Sequence, residues 1–332
     1  MIRILNAEPL GYCEEARAVL RQVGEVVEAP LGRAELLSRL PGFDVLIVRL
    51  AHQVDQEMLD VAGRLKVIVS ATTGLDHIDV DYANARNIAV LSLRGETAFL
   101  EKIAATGEHT WALVLSLLRR IPEASASVLA GRWDRDNHRG CELSGKRLGL
   151  VGLGRIGRQV ARYGLAFRMH VSAYDPHPAE WVESVKRAPD LQALLRASDI
   201  LSLHVPLDEQ TTGLLGPKEL DCLPEHAMVI NTSRGELLDE TALVDALASG
   251  HLSGAAVDVL SHEREPHERS HSPLLRYAAT HNNLLITPHI GGATCESMAR
   301  TEVFMARKLA HHLCSRALNE PLPETDSSRG QE

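Results

Sequence analysis

The sequence predicts an α/β fold in two domains, and three observations carry that expectation. At 332 residues the chain is longer than a single hydrophobic core usually serves. Short apolar runs alternate with stretches whose apolar residues recur every three or four positions, which is the rhythm of strands and helices in succession. A glycine motif, GLGRIG from Gly152 to Gly157, lies between an apolar run and an amphipathic stretch, but only after almost half the chain has passed.

The elements follow in order. IRIL (2–5), VLIV (45–48), KVIVS (66–70) and IAVL (88–91) read as strands, and EEARAVLRQVG and VDQEMLDVAG between them read as helices closed by glycine. From Thr106 the pattern GEHTWALVLSLLRRIP is apolar on nearly all faces and predicts one long buried helix that stops at Pro122. A polar connection containing Trp133 then leads to a turn at Ser144 and Gly145, and RLGLVG opens a second series of strands. These are 169–175, 199–206, 227–233, 254–260 and 283–289, separated by helical patterns such as DETALVDALASG. Nearly continuous apolar strands with helices between them imply a parallel sheet covered on both faces. ESMARTEVFMARKLAHHLCSRAL reads as one long amphipathic helix, and 321–332 as a disordered tail.

Composition narrows the function. Lys and Arg number 35 against 44 Asp and Glu, a net charge of −9, and no basic block offers a footprint for phosphate backbones. Nucleic acid is therefore not an expected partner. Cys13, Cys141, Cys222, Cys295 and Cys314 are scattered and form no CxxC pair, so neither a disulfide framework nor a metal site is expected. Nowhere do about 18 apolar residues run together to cross a bilayer. A soluble cytoplasmic protein is expected.

A lone GxGxxG is a weak signal, and its context decides. Here a strand precedes Gly152 and a helical stripe containing Ile156, Val160 and Ala161 follows Gly157. Gly152 would permit the tight turn, Gly154 close approach of a pyrophosphate and Gly157 close packing of the helix, with phosphate at the helix N-terminus near Arg155 and Ile156. The next strand ends on Asp175, about 20 residues on, where a carboxylate accepts from both ribose hydroxyls and repels a 2′-phosphate. That favours NAD over NADP, with His177, Arg155 and Arg158 leaving the phosphorylated form open.

Ligands of open parallel sheets bind beyond the carboxyl ends of the strands. Arg234 follows AMVINTS, Asp258 lies in GAAVDVL, Glu263 follows in SHEREP, and His289 ends LLITPH. Singly, each is an ordinary surface or structural residue. Together they supply a guanidinium for bidentate carboxylate binding, an imidazole for proton transfer and a carboxylate to orient it.

These residues, in the order ATTGLDHID, GEHTWALVLSLLRR, GLGRIG, YDP, HVPL, NTSRGELLDE, GAAVDVL and TPHIGGAT, resemble the D-isomer-specific 2-hydroxyacid dehydrogenase family, in particular short D-3-phosphoglycerate dehydrogenases. The resemblance spans about residues 40 to 310. It implies a Rossmann NAD-binding domain (106–289) inserted into a split flavodoxin-like substrate domain (1–105 and 290–320), which explains the late glycine motif. It further implies that Arg234 binds the substrate carboxylate and oxo group, that Glu263 partners His289, and that His289 exchanges the proton. Thr73 and Gly74 would help hold the substrate carboxylate, and Asp258 would meet the nicotinamide carboxamide. His204, Pro206, Thr232 and Gly291 fall in motifs that the family uses around NAD. The family places its glutamate both at a fixed spacing from the aspartate and directly before proline; here Glu263 meets the spacing and Glu265 precedes Pro266, and the spacing favours Glu263. Hydride transfer between NAD and a small 2-hydroxy or 2-oxo acid is the expected activity, in a homodimer. An NAD(H)-sensing binding protein of the same fold is the alternative. Arg49, His52, Arg94 and Lys102 are candidates for recognising a phosphate on the acid, and the long LRGETAFLEKIAATG segment for reshaping the pocket or the subunit interface.

Overall fold

A computed structural model of the chain describes residues 1–178 and 180–319. The chain forms two compact units, Met1–Gly95 together with the chain from Met298 onward, and Glu96–Ser297. The tail read as disordered, 321–332, lies outside the described residues.

The first unit is built on a parallel sheet of β1 (Arg3–Asn6), β2 (Glu25–Glu28), β3 (Val45–Val48), β4 (Val67–Ser70) and β5 (Ala89–Leu91), in the order β2-β1-β3-β4-β5. That order is the flavodoxin-like one. VLIV and VIVS are buried along their whole length because helices cover both faces of the central strands. Leu5, Leu36, Leu46, Met58 and Ile68 form the middle of the core. Asp55 and Asp79 each cap a helix by accepting an N–H at 3.0 Å, from Met58 and Tyr82. The sequence reading missed β2, whose EVVE carries only two apolar residues; pairing with β1 at the sheet edge, not burial, makes it a strand. The long C-terminal helix, Cys295–Asn319, is tied into this unit by polar contacts. Glu302, 1% exposed, accepts the Cys13 N–H at 2.6 Å and faces Arg49 at 3.6 Å, while Lys308 donates to the Ser92 carbonyl at 2.9 Å.

The second unit holds a seven-stranded sheet: β6 (Arg147–Val151), β7 (His170–Tyr174), β8 (Lys186–Arg187), β9 (Ile200–Leu203), β10 (Ala227–Asn231), β11 (Leu252–Val257) and β12 (Leu284–Ile286). Its order is β12-β11-β10-β9-β6-β7-β8, and the pairings are parallel, so the strand order reverses between β6 and β9. That reversal is the topological switch point where a doubly wound sheet opens a crevice. Alternate residues feed two cores: Leu203, Val229 and Val257 on one face, Leu148, Leu150, Ile230 and Ala256 on the other. Among the described residues no helix is long and apolar enough to cross a membrane.

Two expectations are corrected. The helix from Thr106 does not run to Pro122: it spans Ala105–Leu118, Arg120 takes a left-handed conformation (φ 52°), and Pro122 sits in the first turn of a new helix, Ile121–Leu129. Proline starts a helix comfortably because the N–H that it lacks has no acceptor there. Asp258 lies just beyond β11, not within the strand. The second compact unit spans Glu96–Ser297, beside the 106–289 that the sequence reading gives to the NAD domain. Residues 100–103 dock on the helix Arg155–Ala166, with Gln159 donating to the Ile103 carbonyl at 3.0 Å and Arg158 paired with Glu101.

Candidate active site

At the switch point β6 runs into Gly152, whose φ of +91° only glycine adopts without strain and where a Cβ would stand 2.5 Å from the His204 carbonyl oxygen. A Cβ on Gly157 would lie 2.3 Å from the Gly152 oxygen, so helix and turn meet backbone to backbone. Gly154, by contrast, faces open space. It also occupies the N-cap of the helix Arg155–Ala166, and no side chain caps that end. The first N–H groups of this helix, including those of Arg155 and Ile156, have no intrahelical acceptor and form a positive pole. These features fit a dinucleotide diphosphate.

Asp175, just past β7, accepts the Leu153 N–H at 2.7 Å and the His177 N–H at 2.8 Å. Its carboxylate is thereby held at the turn with lone pairs to spare. The arginines that left the phosphorylated cofactor open are committed elsewhere: Arg155 donates to the Ile103 carbonyl at 3.1 Å, and Arg158 pairs with Glu101. Across the crevice, after β9, His204 pairs through Nε2 with Ser202 at 2.9 Å, and burial pushes its imidazole down to about 3. It is therefore neutral at ordinary pH, and its enclosed Nδ1 has no protein partner. Pro206 follows, its carbonyl accepting the Thr211 hydroxyl at 2.7 Å. Thr232, after β10, donates to Thr110 at 3.0 Å, since the Thr110 hydroxyl is spent on the Thr106 carbonyl.

The chemistry-bearing residues lie at the ends of β10, β11 and β12. Asp258 is 1% exposed. Its carboxylate accepts the Thr287 hydroxyl at 2.6 Å and the N–H groups of Ile290 at 2.9 Å and Gly291 at 2.7 Å. His109, from the helix Ala105–Leu118, approaches the same carboxylate at 3.2 Å and Thr287 at 3.0 Å. A Cβ at Gly291 would crowd the Asp258 oxygen at 2.9 Å, so glycine permits that grip. The loop so held carries His289 at φ 55°, a strained conformation that costs roughly 1–3 kcal/mol. The His289 N–H donates to the Asp258 carbonyl at 2.8 Å.

His289 Nδ1 is hydrogen-bonded to Glu263. A carboxylate only accepts, so Nδ1 carries the proton and Nε2 is left to exchange one with a ligand. Glu265 instead lies 3.6 Å from His262. Arg234 sits in the turn after β10, which Asn231 fixes by donating to the Arg234 carbonyl at 2.7 Å and accepting the Ser233 N–H at 3.0 Å.

Thr73 and Gly74 belong to the first unit. There Ser70 bonds to His77 at 3.1 Å and to Thr72 at 2.9 Å, and the Thr72 hydroxyl donates to the Gly74 carbonyl at 2.8 Å, so the loop after β4 is internally braced. Of the proposed phosphate-recognising residues, Arg49 donates to the Glu8 and Leu10 carbonyls at 2.9 Å, and His52 is buried, with its imidazole pushed below the ordinary range by that burial. Arg94 and Lys102 are exposed. The sequence reading missed His109, whose signal was one imidazole in an otherwise apolar helix, and missed Glu236 and Glu240, which brace the Glu263 loop. Among the described residues no cluster of three or more acidic, histidine or cysteine side chains could hold a metal.

The model of the NAD-binding domain of D-isomer specific 2-hydroxyacid dehydrogenases matches residues 111–291. The chain belongs to the D-isomer specific 2-hydroxyacid dehydrogenase family, and its cofactor is NAD. It is 38% identical to a D-3-phosphoglycerate dehydrogenase of Methanocaldococcus jannaschii over 93% of this chain and 57% of that protein. The chain thus spans little more than half the length of such phosphoglycerate dehydrogenases. A hydroxypyruvate reductase of Thermotoga maritima is 35% identical over 87% of this chain and 91% of that protein. The D-lactate dehydrogenase of Aquifex aeolicus, solved with NAD and lactic acid, superimposes with a TM-score of 0.83 at 26% identity, covering 95% of this chain and 96% of that one.

Proposed function

We propose that the protein is an NAD-dependent D-2-hydroxyacid dehydrogenase, acting on a small 2-hydroxy or 2-oxo acid in the manner of a phosphoglycerate dehydrogenase or hydroxypyruvate reductase. The observation that carries the reading is the Glu263–His289 pair, held beside the nucleotide crevice by Asp258. NAD, when bound, supplies the hydride acceptor and its reduced form the donor; Gly152, Gly154, Gly157 and Asp175 would hold its diphosphate and ribose, with His204, Pro206 and Thr232 lining the opposite wall. Neutral His289 takes the proton of the substrate hydroxyl at Nε2 in oxidation and returns it in reduction. Glu263 fixes the ring tautomer and stabilises the imidazolium as it forms. Arg234 orients the substrate carboxylate and stabilises charge on the oxo oxygen. The family resemblance gives Thr73 and Gly74 a part in holding the substrate carboxylate. The first unit serves as the substrate domain and the second as the NAD domain. A purely NAD(H)-sensing protein would leave the proton-transfer pair without a task.

The protein acts as a cytoplasmic homodimer in this reading. Ile121, Val128, Leu129 and Trp133 are 51%, 49%, 87% and 90% exposed, an apolar surface that a second copy would cover. The direct test mixes the protein with NADH and a panel of hydroxypyruvate, glyoxylate, phosphohydroxypyruvate and 2-oxoglutarate. Wild type should oxidise NADH with at least one acid, and His289→Ala should be slower by roughly 10² to 10⁴ with NADH affinity retained. Tight NADH binding without oxidation by any acid would move the assignment to a sensor.

A further inference from the structure

Burial does not place Glu263. The loop that carries it runs from Leu260 to Ser272 and includes a short helix, Pro266–Ser270, with no buried residue. Apart from the bond to His289, Glu263's contacts come from within that loop: the Leu260 N–H reaches its carboxylate at 3.4 Å, and Arg269 donates to its carbonyl at 2.7 Å. Such contacts hold the loop together without fixing it against His289.

A carboxylate from outside the loop holds both of its ends. Glu240 Oε1 accepts the Ser261 N–H at 2.9 Å and Oε2 accepts the Ser272 hydroxyl at 2.6 Å, so both ends of the loop close on a single side chain. Ser272 Oγ in turn accepts the Leu274 N–H at 3.2 Å, which leaves its proton for Glu240. The backbone of Glu240 is placed by a capped helix start. It opens the helix Glu240–Ala248, whose cap Asp239 accepts the Thr241 and Ala242 N–H groups at 2.9 and 3.0 Å. Beside it Glu236 accepts the His262 N–H at 3.3 Å, and a Cβ on Gly235 would stand 2.2 Å from the Ser261 nitrogen. The stretch that begins at Arg234 is therefore the template on which the Glu263 loop is laid.

We infer that Glu240 is a positioning residue that sets Glu263 against His289, an inference that rests on the dehydrogenase reading above. A carboxylate is required because both donors point at it; an amide would turn an N–H₂ group toward one of them.

The test compares Glu240→Ala, Ser272→Ala, Glu263→Gln and the two double variants that include Glu263→Gln. Glu240→Ala should lower kcat about tenfold with KM for NADH within about twofold, Ser272→Ala should lower it less, and neither should add to the loss in Glu263→Gln. The histidine side-chain ¹H–¹⁵N spectrum reads the same coupling without substrate: the low-field Nδ1 proton of His289, identified by its loss in His289→Ala, should broaden or shift in Glu240→Ala. Losses that add to that of Glu263→Gln, together with an unchanged His289 resonance, would overturn the inference. If Glu240→Ala does not fold, Ser272→Ala carries the same comparison. Should Glu263→Gln itself leave both kcat and the resonance unchanged, the site reading falls; should Glu263→Gln act while the Glu240 and Ser272 variants do not, only the positioning role falls.

Discussion

Glu263 and Glu265 are two carboxylates of one charged loop, and geometry separates them: Glu263 meets the His289 ring, whereas Glu265 faces His262 at 3.6 Å. Glu263→Gln should therefore cost roughly ten- to a hundredfold in kcat, because the amide neither fixes the tautomer nor offsets the imidazolium charge, while Glu265→Gln should stay within about twofold. Steady-state kinetics of the two variants side by side checks this. The Glu263 position was legible because a strand end fixes where the following loop starts, so spacing from Asp258 carries geometric information. A neighbouring proline carries less. His109 was not legible in the same way. Its helix reads as apolar packing, and the carboxylate that it meets lies 3.2 Å away but on a distant part of the chain.

Among elements, the turn after β6 and the end of β9 form the two walls of the crevice, and His204 shows what that wall costs in acid. Its imidazole moves from an ordinary 6.5 to about 3, so as pH falls the unfolded chain takes up a proton that the folded one refuses. The stability contribution is complete above about pH 6.5 and is lost progressively toward pH 3. Between pH 7.5 and 5.5 the loss from this one group is on the order of 1 kcal/mol, and urea titrations should show that difference shrinking in His204→Asn. Strand and helix order was readable from apolar runs and glycine placement. The edge strands β2 and β8 were not, since they depend on pairing with a neighbour, whereas the apolar edge strands β5 and β12 were. The helix break at Arg120 was missed for a related reason: Pro122 marks a helix start as readily as a stop.

For the whole molecule, the late glycine motif has a physical explanation in the path of the chain, which builds one α/β unit, then a second, and returns to the first at Met298. That return was visible in sequence only through family resemblance, because no local pattern says that the terminal helix joins the first unit through Glu302 and Lys308. At the same scale, the proposed homodimer predicts a sedimentation mass twice that of the 36.3 kDa chain, reduced to the monomer by Leu129→Asp with Trp133→Asp. The most direct measurement of the central claim is isotope transfer: NADH deuterated at C4 is supplied with the best acid of the panel and the product is resolved chirally. Deuterium at C2 of the D-hydroxy acid, formed by wild type and nearly abolished in His289→Ala, is the predicted result. An L-product, or NADH oxidation with no deuterium at C2, would contradict it.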